Sequence, residues 1–122
     1  MNIESYRDYC LQKKEVTESF PFDNDTLVFK VGGKMFALTS LKKWEAGEAS
    51  VNLKCDPERA LQLREEYEGI VPGYHMSKVH WNTVSLNADV PQKLILELID
   101  HSYRLIVDSL PRKIRENREF SP

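Results

Sequence analysis

The segment from Pro72 to Val84 concentrates the side chains of this chain that are best suited to catalysis or binding. It holds two imidazoles, an ammonium group and an indole, on His75, His80, Lys78 and Trp81. Imidazoles can bind metal ions or transfer protons near neutral pH, whereas an ammonium group beside an indole suits a phosphate and an unstacked base. Because a Pro-Gly turn precedes a strand here, the backbone should be fixed and these groups should face solvent.

The two histidines admit three roles: supports of the loop, contacts to a ligand, or the start of a metal site. A metal site needs further converging ligands, and the spacing of His75 and His80 is not a recognised ligand pattern. Cys55, Asp56 and His101 show no spacing that would complete one. We therefore predict no metal and no cofactor. We favour the first role, in which both imidazoles hydrogen-bond backbone carbonyls and fix the loop.

No catalytic signature accompanies these residues. Ser77 and Ser85 lie near the histidines, but the sequence lacks both a nucleophile elbow and an orienting acid. Gly32-Gly33 is followed by a strand pattern rather than a helix, so it is a turn and not a phosphate-binding loop. The sequence thus predicts a protein that is not an enzyme.

Composition limits the class of protein further. The chain has 122 residues, of which 41% are hydrophobic and 30% charged, as in one globular domain over residues 1–122 with a charged tail at 112–122. A net charge of -2 argues against nonspecific binding of nucleic acid by the whole surface. No apolar run could span a membrane, no signal peptide is visible, and Cys10 and Cys55 are not paired in spacing. We therefore expect a cytoplasmic protein.

A hairpin is predicted around Gly32-Gly33, because both residues of such a turn need positive φ and apolar runs flank it. Its register places one set of side chains toward the core and leaves Val28, Lys30, Met35 and Ala37 on the opposite face. The predicted pairs are Val31 with Lys34, Phe29 with Phe36, and Leu27 with Leu38.

The other elements follow from local signals. Asp56-Pro57 should cap and begin a second helix, and residues 95–110 carry the apolar stripe of a long last helix. Strands are predicted at 49–54, 70–74 and 81–86. The result is a two-layer α+β fold of order α-β-β-β-α-β-β-α, with a mostly antiparallel five-stranded sheet and the helices on one face.

Several segments that together cover nearly the whole chain carry a resemblance to one protein family. The most specific of them is the run from Pro72 to Leu86. The other matching segments are Tyr9-Cys10-Leu11, residues 18–22, 29–31, 33–38 and 51–58, Ser102-Tyr103 and Leu110-Pro111. Together they resemble the MmcQ/YjbR family. The first helix is predicted from Ile3 to about Lys13, and Lys14-Glu15 stands where this family commonly has Pro-Gly, so the helix could run longer here.

This resemblance implies a bacterial protein with a CyaY-like, secretion-chaperone-like fold and a DNA-binding function. On that basis we predict DNA binding through the open face of the sheet and the loop at 72–81. An interaction module for a protein or peptide partner is the alternative, because the same open face also carries apolar side chains. The predicted nucleic-acid contacts are Lys30, Lys54, His75, Lys78, His80 and Trp81.

Overall fold

The computed structural model describes residues 1–74 and 76–117. His75 and the end of the predicted tail, 118–122, lie outside the described residues. Among the residues described, none of the helices has both the length and the apolarity needed to cross a bilayer. The elements are α1 (Ile3–Leu11), β1 (Val16–Ser19), β2 (Thr26–Val31), β3 (Lys34–Ser40), α2 (Leu41–Glu45), β4 (Ser50–Lys54), α3 (Pro57–Glu66), β5 (Ile70–Pro72), β6 (Trp81–Ser85), α4 (Gln92–Ser109) and α5 (Arg112–Asn117).

The sheet has six antiparallel strands in the order β1-β2-β3-β4-β6-β5. The prediction of five strands was wrong, since β1 was missed; the short α2 was missed as well. The four residues of β1 include only one aliphatic side chain, Val16, and the strand is defined by its pairing with β2. An α+β fold with an antiparallel sheet is confirmed.

The turn between α1 and β1 explains why the first helix does not run on. It ends at Leu11, and Glu15 adopts a φ of 62°, in the left-handed region where a side chain is strained. The hydroxyl of Tyr103 donates to the carbonyl of Lys14 at 2.7 Å and holds this turn against α4. The expected extension of the helix was therefore wrong. The chain turns after α1 even though it has no glycine at this position.

A β-bulge changes the predicted hairpin register. Val31 pairs with Lys34 as expected, but the register shifts between Phe29 and Lys30, and Phe29 pairs with Ala37. Phe36 is the extra residue, so both Phe36 and Ala37 join the core. The predicted pairs of Phe29 with Phe36 and of Leu27 with Leu38 were wrong. Leu38 instead lies opposite Val28, on the other face.

The bulge leaves the carbonyl of Phe36 and the N–H of Lys54 without partners on the neighbouring strand, and Ser102 of α4 bonds both groups. Its hydroxyl, which is fully buried, donates to the carbonyl of Phe36 at 2.6 Å and accepts from the backbone N–H of Lys54 at 2.9 Å. One side chain thus joins β3 and β4 where their backbones do not pair directly. The end of β4 is fixed by α4.

The core lies between the sheet and the long helix. α4 contacts β2, β3 and β4, and its predicted stripe is buried. Buried residues of α1, α3 and α4 belong to the same apolar cluster as Phe29, Phe36 and Val51 of the sheet. The arrangement of all the helices on one face of the sheet stays a prediction. The function proposed below depends on it, because that function needs the opposite face to be accessible.

The two edges of the sheet differ. Gly69 accepts from the N–H of Ser85 and Gly73 donates to the carbonyl of Trp81, so the backbone groups of the intervening Ile70 and Pro72 face outward. Ile70 already donates its N–H to the carbonyl of Tyr67, and Pro72 has no N–H. The outer edge of β5 therefore offers no backbone donor. The opposite edge is β1.

Candidate nucleic-acid interface

The outer face is the face of the sheet opposite the apolar cluster. Alternation along the strands, corrected for the bulge, assigns its side chains. None of them is a carboxylate, although the chain carries 19 acidic residues. They are Thr17, Ser19, Thr26, Val28, Lys30, Met35, Leu38, Ser40, Ser50, Asn52, Lys54, Val71, Trp81, Thr83 and Ser85.

Three of the predicted contacts come together at one end of the outer face. Lys54 pairs directly with Trp81 across β4 and β6, and Lys30 pairs with Met35 across β2 and β3. Because neighbouring strands lie about 4.8 Å apart, the backbones at Lys30 and Lys54 are separated by about 10 Å. A row of lysine, methionine, lysine and tryptophan therefore crosses four strands.

Trp81 is half-buried and does not belong to the apolar cluster of the core. Its backbone is fixed on both sides: its N–H donates to the carbonyl of Ser77 at 2.9 Å, and its carbonyl accepts from Gly73 at 2.8 Å. A Cβ at Gly73 would lie 2.8 Å from the Cβ of Trp81, so glycine is required for this approach. Pro72 ends β5 and Gly73 still pairs with Trp81, so the turn predicted at Pro72-Gly73 was wrong and the pairing of β5 with β6 positions the indole.

Arg64 of α3 makes hydrogen bonds to the loop that carries Lys78 and His80, two of the other predicted contacts. Its Nε donates to Oδ1 of the buried Asn82 at 2.7 Å. Its Nη2 donates to the carbonyl of Lys78 and, at 3.3 Å, to that of Trp81. The sequence analysis missed Arg64, because nothing local in a charged helix distinguishes an arginine that bonds a distant loop from one that faces solvent.

Lys78 and His80 lie beside the row and not within it. The ammonium group of Lys78 donates to the carbonyl of Gly73 at 3.4 Å, which keeps it close to the end of β5. His80 is exposed, and its backbone rather than its ring supports the loop, with its carbonyl accepting from the N–H of Cys55 at 2.8 Å. Within residues 1–74 and 76–117, no group of three or more His, Cys, Asp or Glu residues could hold a metal ion.

A groove of about 530 Å³ crosses the centre of the outer face. Two loops border it: residues 20–25 contribute Phe22, and residues 73–80 contribute Tyr74 and Met76. Met35 and Leu38 form its apolar floor. We call it the outer groove. The sequence analysis missed it, because the wrong register placed Leu38 in the core.

Two aspartates hold the loop that carries Phe22. Asp25 accepts from the hydroxyl of Ser40 at 2.6 Å and from the N–H of Lys42 at 2.8 Å, and these hydrogen bonds lower its pKa. Asp23 accepts from the N–H of Thr26 at 2.6 Å and from that of Asp25 at 2.9 Å, which lowers its pKa as well. The loop is therefore ordered by charge-assisted hydrogen bonds.

Replacing Asp25 by asparagine should lower the free energy of unfolding at neutral pH. One of the two aspartates that hold the loop then loses its negative charge, which weakens the hydrogen bonds that it accepts. Since the folded-state pKa of Asp25 lies below the unfolded value, this stabilisation is present above about pH 4 and is lost as the pH falls through the folded-state pKa. Urea unfolding from about pH 7 to about pH 3 should show wild type and variant converging in acid. Asp108→Asn, at an exposed position on α4, is the control. A difference that stays constant with pH would contradict the role of ionised Asp25.

The fold and this interface define a class: an α+β domain whose six-stranded antiparallel sheet has one face on which the strands carry no carboxylate. The chain belongs to the YjbR family, whose model matches residues 11–105. The predicted family is confirmed.

Relatives of known name and structure agree with this assignment. The chain is 33% identical to the protein YjbR of Escherichia coli K12 over 95% of this chain and 96% of YjbR. It is 36% identical to YbdF of Escherichia coli O157:H7 over 90% of this chain and 88% of YbdF. The crystal structure of Deinococcus radiodurans protein DR2400, with the domain DUF419, matches with a TM-score of 0.89 at 38% identity, over 95% of this chain and 86% of that one. The names of these three relatives state no activity.

Proposed function

We propose that the protein binds DNA without catalysing a reaction, through the outer face and the loop at 72–81, with a preference for unpaired strands. The observation that carries the proposal is the charge pattern of the outer face. Two lysines and a half-buried indole share a sheet face on which the strands carry no carboxylate, in a chain of net charge -2. Phosphates would contact Lys30, Lys54 and Lys78, while a base stacks on Trp81.

The proposal requires that the helices leave the outer face accessible to a strand. The contacts of α4 with β2, β3 and β4 support this, because its buried residues share one cluster with the inward side chains of those strands. The partial exposure of Trp81 supports it too. DNA is chosen over other polyanions because the family resemblance implies it.

A peptide partner is the second candidate, and the outer groove favours it. Phe22, Met35 and Leu38 give this groove an apolar lining in which side chains of an extended peptide would pack. Salt dependence separates the two functions. Phosphate binding weakens steeply as salt rises, whereas apolar peptide binding changes little.

The test removes three ammonium groups together. A variant with Lys30→Ala, Lys54→Ala and Lys78→Ala should bind a fluorescent single strand roughly 10- to 100-fold more weakly in anisotropy titrations at about 50 mM salt. Each lost phosphate contact should also lower the slope of log affinity against log salt by about 0.7, so the triple variant should lose about 2 from that slope.

The matched control removes the same charge elsewhere, at Lys34, Lys93 and Lys113, none of which lies on the outer face. Equal losses in the two triple variants would show a nonspecific charge effect. Unchanged affinity in the outer-face variant would overturn the proposed interface, and salt-independent binding of an apolar peptide in its place would support the second candidate.

A further inference from the structure

We propose that the outer groove holds an unstacked base of the bound strand, which stacks on aromatic side chains and accepts a hydrogen bond from the groove floor. This inference rests on the proposed DNA binding and adds the part of the strand that the groove would take. It assigns a role to Phe22, Tyr74 and Asn52, none of which belongs to the row of Lys30, Lys54 and Trp81.

Exposed aromatic side chains reach the groove from opposite ends of the sheet. Phe22 precedes β2, at the end where Ser40 terminates β3, and is 64% exposed. Tyr74 follows β5, at the end where Trp81 begins β6, and is 67% exposed. Both line the groove. Aromatic faces of this kind stack on bases, and stacking is tolerant of base identity because every base has a π face.

The orientation of one amide on the groove floor is set by its neighbours. The hydroxyl of Thr83 accepts from the N–H of Tyr74 at 3.3 Å, and its proton is donated to Oδ1 of Asn52 at 2.5 Å. The carbonyl end of the Asn52 amide therefore faces Thr83, and its Nδ2 is left as a donor. Asn52 lines the groove, so this donor is available to a ligand.

Most hydroxyl groups around the groove already donate their protons to acceptors within the protein. Few hydroxyl donors are therefore left for a ligand. Across residues 1–74 and 76–117, neither Asn52 Nδ2 nor the ammonium of Lys43 has a hydrogen bond to the protein. These two donors suit a ligand with acceptors, which the bases provide as carbonyl oxygens or ring nitrogens. The committed hydroxyls are Thr26 to Asp23 at 3.2 Å, Thr39 to the Ser50 carbonyl at 2.6 Å, and Ser40 to Asp25 at 2.6 Å.

Charge points to the same occupant. Lys43 lines the groove, and Lys54 lies on the same face two residues along β4 from Asn52. Asp23 is the one carboxylate among the lining residues, and it accepts hydrogen bonds from the N–H groups of Asp25 and Thr26. A base held between aromatic side chains would thus have cations available for its flanking phosphates.

The experiment compares three single strands of about nine nucleotides and equal charge: thymidines, adenosines and abasic sites. Wild type should bind the thymidine strand at least about fivefold more tightly than the abasic strand, because stacking adds to phosphate contacts. It should also bind adenosines more tightly than the abasic strand, because adenine has a π face and ring-nitrogen acceptors.

Three variants assign the effect to the groove. Phe22→Ala, Tyr74→Ala and Asn52→Leu should each lower the preference for thymidine over abasic strands, the first two through lost stacking and the third through a lost hydrogen bond. Phe20→Ala is the matched control, since Phe20 is exposed on the same loop but does not line the groove.

The outcomes separate the two proposals. Equal, salt-dependent binding of abasic and thymidine strands would overturn the base-binding groove and leave the proposed DNA binding in place. Binding of no strand would overturn both. A base preference that survives Phe22→Ala, Tyr74→Ala and Asn52→Leu would place the base elsewhere and overturn the groove alone.

Discussion

Replacing Ser102 by alanine should lower the free energy of unfolding by about 2 to 4 kcal/mol, because two buried backbone groups lose their partner at once. The carbonyl of Phe36 and the N–H of Lys54 both bond the Ser102 hydroxyl, and Ser102 is fully buried. Water has no route to either group without opening the contact between α4 and the sheet. Urea unfolding monitored by circular dichroism measures the change.

Ser109 on the same helix is the matched control. It is exposed, its hydroxyl donates to the carbonyl of Ile106 at 2.7 Å, and Ser109→Ala should change stability by only about 0.5 kcal/mol. Hydrogen exchange gives a second readout, since the amide of Lys54 should exchange faster in Ser102→Ala. If Ser102→Ala cost no more than Ser109→Ala, the bulge would have to be stabilised by another group.

Replacing Arg64 by methionine should lower the free energy of unfolding by about 2 to 3 kcal/mol and release the loop at 73–80. Methionine keeps the apolar stem of the side chain but leaves Oδ1 of the buried Asn82 and the carbonyl of Lys78 without the Arg64 donor, while the carbonyl of Trp81 keeps the N–H of Gly73. Trypsin should then cut after Lys78 faster than in wild type. This cleavage reports the loop itself, apart from global stability.

Arg59→Met is the control, because Arg59 lies on the same helix and its guanidinium makes no hydrogen bond within the part of the chain that the structure describes. It should leave both stability and cleavage close to wild type. Cleavage at Lys78 that is unchanged by Arg64→Met would show that the backbone pairing of Gly73 with Trp81 holds the loop unaided.

Features governed by neighbouring residues were predictable from the sequence. Gly32 and Gly33 take the positive φ values of 58° and 81° that a tight hairpin turn requires. Asp56 accepts from the N–H of Arg59 at 3.3 Å and Pro57 begins α3, as the capping pattern indicated. The family, the antiparallel sheet and the burial of the α4 stripe follow from signals of the same local kind.

Features that depend on distant partners were not predictable in the same way. β1 has little apolar character and forms because β2 offers it an edge. The bulge at Phe36 is satisfied by Ser102, 66 residues away, and its effect is to move Leu38 to the outer face. For the candidate site, the proximity of Lys54 and Trp81 could be inferred from strand alternation. The outer groove could not, because it depends on the bulge and on two loops that meet only in the folded chain.

The unequal edges of the sheet limit how copies of this protein could join through their backbones. A strand added beside β5 could donate to its outward carbonyls but would find no N–H to accept from, since the N–H of Ile70 bonds Tyr67 and Pro72 has none. Half of the usual backbone hydrogen bonds would therefore be lost at that edge. A fibre of copies joined edge to edge would need the β5 edge at every junction or at every second junction, so this edge disfavours such growth.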